Sequence, residues 1–187
     1  MSPVQNPEAQ LCERALAGER AAFETLVRSH QAAVRSQLRR LTKGDLALAD
    51  DLAQESFIQV WIHLSEFRVE ARFATWLYRI AYNRFLAHLR SHPATEPLPD
   101  ESVSGKVGES ASRDEAAQAR RLDVAAALKR LPEAEQIALI HCYYLDLSHD
   151  EAAQVLNLPL GTLKSQILRA KVRLRELLSA WKPEMSS

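Results

Sequence analysis

Residues Leu147 to Arg175, LDLSHDEAAQVLNLPLGTLKSQILRAKVR, constrain this chain more than any other stretch. Ser148 and Glu151 have the spacing of a capping box, in which hydroxyl and carboxylate each satisfy a free N–H at a helix start. The short helix that follows carries Ala152, Ala153, Val155 and Leu156. Asn157 is one of the few residue types besides glycine that tolerates positive φ. Pro159 suits the start of a second helix, because its missing N–H costs nothing in the first turn. That second helix sets Leu163, Ile167, Ala170, Leu174 and Leu177 on one stripe, at alternating spacings of four and three. Its other faces hold Thr162, Lys164, Ser165, Gln166, Arg169, Lys171, Arg173 and Arg175. Two helices joined by a tight turn, the second amphipathic and basic, predict a helix-turn-helix whose second helix enters a DNA major groove. An αα-hairpin with a solvated basic face has the same outline. The small Ala152 and Ala153, which allow close helix crossing, and the polar, basic second helix favour the DNA reading. Gly161 falls in the first turn of that helix, where glycine costs about 1 kcal/mol relative to alanine. A close approach of backbone to phosphate gives a reason for it.

The rest of the chain reads as helical too. Five glycines among 187 residues, few β-branched runs and abundant Ala, Leu, Arg and Glu predict an all-α protein. The length suits one large domain or two small ones. Formal net charge is zero, so the chain is no polycation; opposed basic and acidic zones fit that balance.

A first helix pair is expected from Pro7 to Leu41, broken at Gly18, with Leu11, Ala15 and Leu16 on one stripe and Phe23, Leu26, Val27, Val34, Leu38 and Leu41 on the next. Arg28, Arg35, Arg39 and Arg40 read as a solvated face. Gly44 is expected to end the second helix, and Asp45 to cap the following one. Leu46 to Phe67 keeps helical spacing, with Leu52, Ala53, Phe57, Val60, Trp61 and Leu64 inward and Asp50, Asp51, Gln54, Glu55 and Gln59 outward.

After a loop at Phe67 to Arg72, a helix with Phe73, Trp76, Leu77, Ile80 and Ala81 inward runs to Arg90. From Arg68 to His92 there are five arginines (68, 72, 79, 84, 90) and one acid, Glu70, interleaved with Phe73, Trp76, Tyr78, Tyr82 and Phe85. Positive charge tracks a phosphate backbone and aromatic side chains hold unstacked bases, the requirement for binding a single strand. Phe73 and Trp76 read as core; Arg79, Tyr82 and Asn83 are the outward contacts. Ser91 to Arg113 is rich in Pro, Gly, Ser and acids and reads as a flexible acidic tether. A C-terminal domain starts near Asp114, with a helix carrying Leu122, Ala125, Ala126 and Leu128, a break at Leu131-Pro132, and a helix from Glu133 to Leu145 with Ile137, Ile140, His141 and Tyr144 inward.

Two stretches together carry a family resemblance. LSHDEAAQVLNLPLGTLKSQILRAKVRLRELL resembles region 4, and ADDLAQESFIQVWIHLSEFRVEARFATWLYRIAYNRFLAHLR region 2, of the extracytoplasmic-function (ECF) sigma factors of bacterial RNA polymerase. The order is right and most of the chain is covered. The family usually has Gly at Asn157, Arg at Gln166 and an acid at Ala87.

The resemblance implies two small helical domains on a tether: 1–92 as region 2, 93–113 as linker and 114–187 as region 4. It implies that Asp51, Gln54 and Glu55 dock on the clamp helices of the polymerase's largest subunit. Thr162, Lys164, Ser165, Gln166, Arg169, Lys171 and Arg173 would meet the −35 element as duplex. Arg68, Arg72, Arg79, Tyr82, Asn83 and Arg84 would meet the melted −10 strand, with the loop 68–72 capturing a flipped base. The implied partners are core RNA polymerase (clamp helices and flap), promoter DNA and an anti-sigma factor. The linker would thread the polymerase's RNA exit path.

Catalysis finds no positive signal. The chain has no Gly-rich phosphate loop, GxSxG, HExxH or paired ExxH. No catalytic residue, cofactor or metal is therefore expected. His141-Cys142 lacks a second ligand pair at metal spacing. Cys12 and Cys142, far apart, point to a reducing cytosol rather than a disulfide framework. Met1 to Asn6 is polar and no apolar run of about 18 residues occurs, so neither a signal peptide nor membrane insertion is expected and the location is read as cytoplasmic. The rival is a free-standing helix-turn-helix regulator with an N-terminal sensing or dimerisation domain; the Arg-aromatic stretch weighs against it, since a small-molecule pocket has no need of one.

Overall fold

The computed structural model describes residues 7–68, 72–92 and 123–179. Every regular element among them is helical. The helices are α1 (Pro7–Leu16), α2 (Arg20–Leu41), α3 (Leu46–Ile62), α4 (Phe73–Ser91), α5 (helical at 123–129), α6 (Glu133–Leu139), α7 (His149–Leu156) and α8 (Leu160–Ser179). Residue contacts divide the chain into two compact units, the first holding α1–α4 with residues 150–158, the second holding α5, α6 and α8. The expected tether at 93–113 lies outside the described residues.

In the first unit, α1 stops where expected. Gly18 has φ +90°, its N–H bonds to the Ala15 carbonyl, and Glu19 N–H reaches back to Arg14, the two bonds of a Schellman stop. α2 then buries Ala22, Leu26, Val34, Leu38 and Leu41. Its end differs from expectation by one residue. Lys43, not Gly44, takes the first left-handed position (φ +55°), and Gly44 follows at +99°, its N–H bonded to the Arg39 carbonyl at 2.9 Å. Asp45 caps α3 as expected, its Oδ1 accepting from Leu48 N–H at 3.0 Å.

α3 buries Ala49, Leu52, Ala53, Ser56 and Val60. Trp61, expected inward, is 46% exposed; it lies one residue beyond that stripe and rests on Phe23 with ring centroids 4.7 Å apart. α4 packs against α1, α2 and α3. Its buried arc is correspondingly broad, taking in Phe73, Ala74, Thr75, Leu77, Tyr78, Ala81, Tyr82 and Phe85. Trp76 and Ile80, expected inward, are only half-buried.

In the second unit, Ala127 and Leu131 are buried and α6 starts at the Pro132 break. The expected single helix from Glu133 to Leu145 is interrupted. Residues Ile140–Tyr144 form a π-turn, which Leu145 N–H closes on the Ile140 carbonyl at 3.0 Å. The wider turn buries His141 and Cys142 and sends Tyr143 and Tyr144 outward; Tyr144, expected in the core, is 45% exposed. α8 packs on α6 and buries Leu163, Ile167 and Ala170, the expected stripe, with Leu174 and Leu177 half-buried.

Candidate nucleic-acid interface

The turn between α7 and α8 has the local chemistry expected of it. Ser148 stands just before α7. Asn157 has φ +52° and its N–H bonds to the Gln154 carbonyl, while Leu158 N–H bonds to the Ala153 carbonyl at 3.0 Å. These are the two bonds of a Schellman stop with asparagine in the glycine position. Pro159 directly precedes α8, and its carbonyl accepts from Leu163 N–H.

Around α8, the residues outside the core form three stripes. Gly161, Ser165, Leu168 and Val172 run along the side opposite the buried stripe and are all exposed. The Ser165 hydroxyl donates to the Gly161 carbonyl at 2.9 Å, leaving its lone pairs outward. A Cβ at Gly161 would meet nothing within 4 Å, so no contact inside the chain requires glycine there. On one flank, Thr162 is exposed, Gln166 half-buried with its Oε1 shielded, and Arg169 and Arg173 engaged by Glu135 of α6. On the other flank, Lys164 and Arg175 are exposed, and the Lys171 ammonium sits 5.1 Å from the centroid of the Tyr143 ring. The seven residues expected to meet DNA therefore share one helix, but not one state. Thr162 and Lys164 are open, Ser165 is exposed with its hydroxyl proton given to the Gly161 carbonyl, and Arg169, Lys171 and Arg173 already have partners.

Sequence reasoning missed Glu135, Leu168 and Val172. Glu135 occupies the buried side of Leu131, Ala138 and Cys142, at spacings of four, three and four, so a lone acid on an apolar stripe was the available signal. Leu168 and Val172, 65% and 45% exposed, fall opposite the core stripe, and periodicity alone locates them.

On α4, Arg79 and Asn83 are exposed and share a face with half-buried Trp76, at spacings of three and four. Trp76 joins an aromatic cluster with Phe67 (5.2 Å) and Phe73 (5.9 Å) beside the loop ends, where Arg68 and Arg72 are both exposed. Residues 69–71 of that loop lie outside the described residues. Tyr82 corrects the expectation: at 9% exposure it belongs to the core against Phe85, because α4 is packed by three helices and buries a wide arc. Arg84 turns towards α3, with its Nε 3.5 Å from Glu55 Oε2.

On α3, Asp51, Gln54 and Glu55 are exposed on one face that continues through Ile58 and Ile62, 57% and 59% exposed. Asp50 faces α2 instead, 3.6 Å from Arg35 and 3.5 Å from Arg39, so those two arginines are not simply solvated.

Among the described residues no group of three or more His, Cys, Asp or Glu could hold a metal, and no helix is long and apolar enough to cross a membrane. Burial, with Glu8 and Glu13 nearby, pushes the Cys12 thiol up to about 11; burial raises Cys142 as well, so both stay protonated.

Basic and apolar faces on α8, an arginine-aromatic surface on α4 and an acidic face on α3 describe a helical protein of several macromolecular contacts. The model of Sigma-70 region 2 matches residues 26–94, and that of Sigma-70 region 4 matches residues 121–174. The RNA polymerase sigma-H factor of Pseudomonas aeruginosa is 33% identical over 178 residues, spanning 90% of this chain and 92% of its own. The ECF RNA polymerase sigma factor SigM of Mycobacterium tuberculosis is 32% identical over 93% of this chain and 86% of its own. Two solved structures align at 25% identity. One is CnrH in complex with the cytosolic domain of CnrY (TM-score 0.67, covering 95% of this chain and all of that one). The other is the sigma factor RpoE in complex with the anti-sigma factor NepR from Bartonella quintana (TM-score 0.68, covering 86% and 98%). This chain belongs to the sigma-70 family, in its ECF group. Relatives spanning the same length are sigma factors, so the free-standing regulator is not favoured.

Proposed function

We propose that this chain is an alternative sigma factor that binds core RNA polymerase and directs it to promoters. The α3 face of Asp51, Gln54 and Glu55, extended by Ile58 and Ile62, docks on the polymerase clamp helices. α8 lies on the −35 duplex. Thr162, Lys164 and Ser165 reach phosphates and base edges, Leu168 offers a methyl-bearing contact suited to thymine, and Arg169, Lys171 and Arg173 contact the backbone. Arg68, Arg72, Arg79 and Asn83 hold the melted −10 strand beside the Phe67–Phe73–Trp76 cluster. Extruding a base costs on the order of a few kcal/mol of stacking, which pocket and phosphate contacts must offset. Tyr82 acts from beneath, as a support of that surface rather than a contact.

The observation that carries this reading is the combination, in one chain, of the open outward face of α8 with the arginine-aromatic face of α4. Regions 2 and 4 divide near residues 92 and 114, with a tether between them. Two weak readers so joined gain from effective concentration once both are held on one enzyme. The protein is no enzyme; the polymerase supplies the chemistry, in the cytoplasm. An anti-sigma factor is among its partners, as it is for RpoE of Bartonella quintana. Run-off transcription with purified core enzyme on a genomic library tests the reading. Promoter-specific starts that need the added chain are expected; their absence on every template would overturn it.

A further inference from the structure

We propose that Glu135 is a positioning residue for promoter DNA, holding Arg169 and Arg173 in the geometry that meets the phosphate backbone. The inference rests on the reading of α8 as a DNA contact. Glu135 is 4% exposed, and a carboxylate so buried is costly unless paired. One of its oxygens, Oε1, takes both arginines, Arg169 Nε at 3.6 Å and Arg173 Nη1 at 3.2 Å. Oε2 is buried without a hydrogen-bond partner, so nothing else among the described residues fixes this carboxylate.

The two arginines are one helical turn apart and keep 58% and 45% of their side chains exposed. A guanidinium presents five N–H donors in a planar fork. Facing Glu135 with one edge, each arginine keeps donors for an outside oxyanion. The cluster carries two positive charges and one negative, so a net positive charge remains for a phosphate. A free arginine loses rotamer freedom when it grips a phosphate. A buried carboxylate imposes that loss in the folded protein, before DNA arrives. Packing alone does not account for the choice, since an apolar residue on the Leu131–Ala138–Cys142 stripe would join α6 to α8 without desolvating a charge.

Simple charge counting and positioning predict opposite signs. Glu135→Gln removes a negative charge beside the DNA face, so charge counting expects tighter binding with an undiminished salt dependence. Positioning expects weaker binding and a shallower salt dependence. The experiment uses the holoenzyme and a promoter fragment that the wild-type holoenzyme opens, with affinity measured across salt. For Glu135→Gln we expect about tenfold weaker binding and a log–log salt slope reduced by roughly 1 to 2. Glu135→Asp keeps the charge but withdraws the carboxylate, and it should reduce the slope in the same direction; it is the variant to read where Glu135→Gln does not fold. Adding Glu135→Gln to Arg169→Gln/Arg173→Gln should cost nothing more. Weaker binding by the arginine pair with none by either Glu135 variant would overturn the positioning role and leave the DNA reading intact. No loss in the arginine pair would overturn both.

Discussion

Gly161→Ala separates folding from recognition in a single methyl group. Gly161 lies in the first turn of α8, exposed, and an added Cβ would meet nothing within 4 Å. No left-handed φ requires glycine there. Alanine should therefore stabilise the helix, by about 0.4–1 kcal/mol, chiefly through lost freedom of the unfolded chain. For a unit of this size that is a rise of roughly 2–8 °C in its unfolding midpoint. The same methyl would stand on the outward face, beside Ser165 and Leu168, where the phosphate backbone is read to approach. Holoenzyme affinity for an opened promoter should fall by about tenfold, the equivalent of one displaced phosphate contact, with the salt slope reduced by about 1. The assays are thermal unfolding of the full chain by far-UV circular dichroism and promoter binding across salt. A stabilised protein that bound promoter as tightly as wild type would refute the close approach. A destabilised one would refute the open-helix argument from which the prediction starts.

Three further outcomes follow from named contacts. Charge reversal of Asp51 and Glu55 together should abolish association with core polymerase by size exclusion while leaving helicity intact; co-elution at wild-type levels would remove α3 from the docking face. Burial holds the His141 imidazole down to about 4, with Nδ1 bonded to the Ile137 carbonyl at 2.8 Å. Between the ordinary histidine range and that value the unfolded chain takes a proton that the folded one refuses, so stability falls as pH drops from about 6.5 to about 4, by about 3 kcal/mol in all. His141→Gln should flatten that part of the urea-midpoint profile, and an unchanged pH slope would contradict the burial argument. Leu163, fully buried in the α8 stripe, should cost about 2–5 kcal/mol when cut to alanine, read as a lowered urea midpoint; a loss under 1 kcal/mol would mean the stripe is not the core it looks to be.

Most of the local structure was legible in the sequence. Gly18 and Asn157 mark helix ends because positive φ is open to few residues, and Asp45 marks a start because its carboxylate reaches a free N–H. The stripe Leu163–Ile167–Ala170 follows from a repeat of 3.6 residues. Those properties depend on a residue and its neighbours in sequence, and so did the motifs that led to the family. Tertiary structure alone decided the rest. Periodicity gives a side chain's angle around its helix, but not what stands at that angle. Tyr82 is core because three helices pack on α4, Tyr144 is exposed because a π-turn shifts the register after Ile140, and Arg84 faces an acid on another helix. Arg169 and Arg173 read alike as free recognition-helix cations until α6 sets Glu135 beside them, since a through-space ion pair leaves no mark in the spacing of either helix.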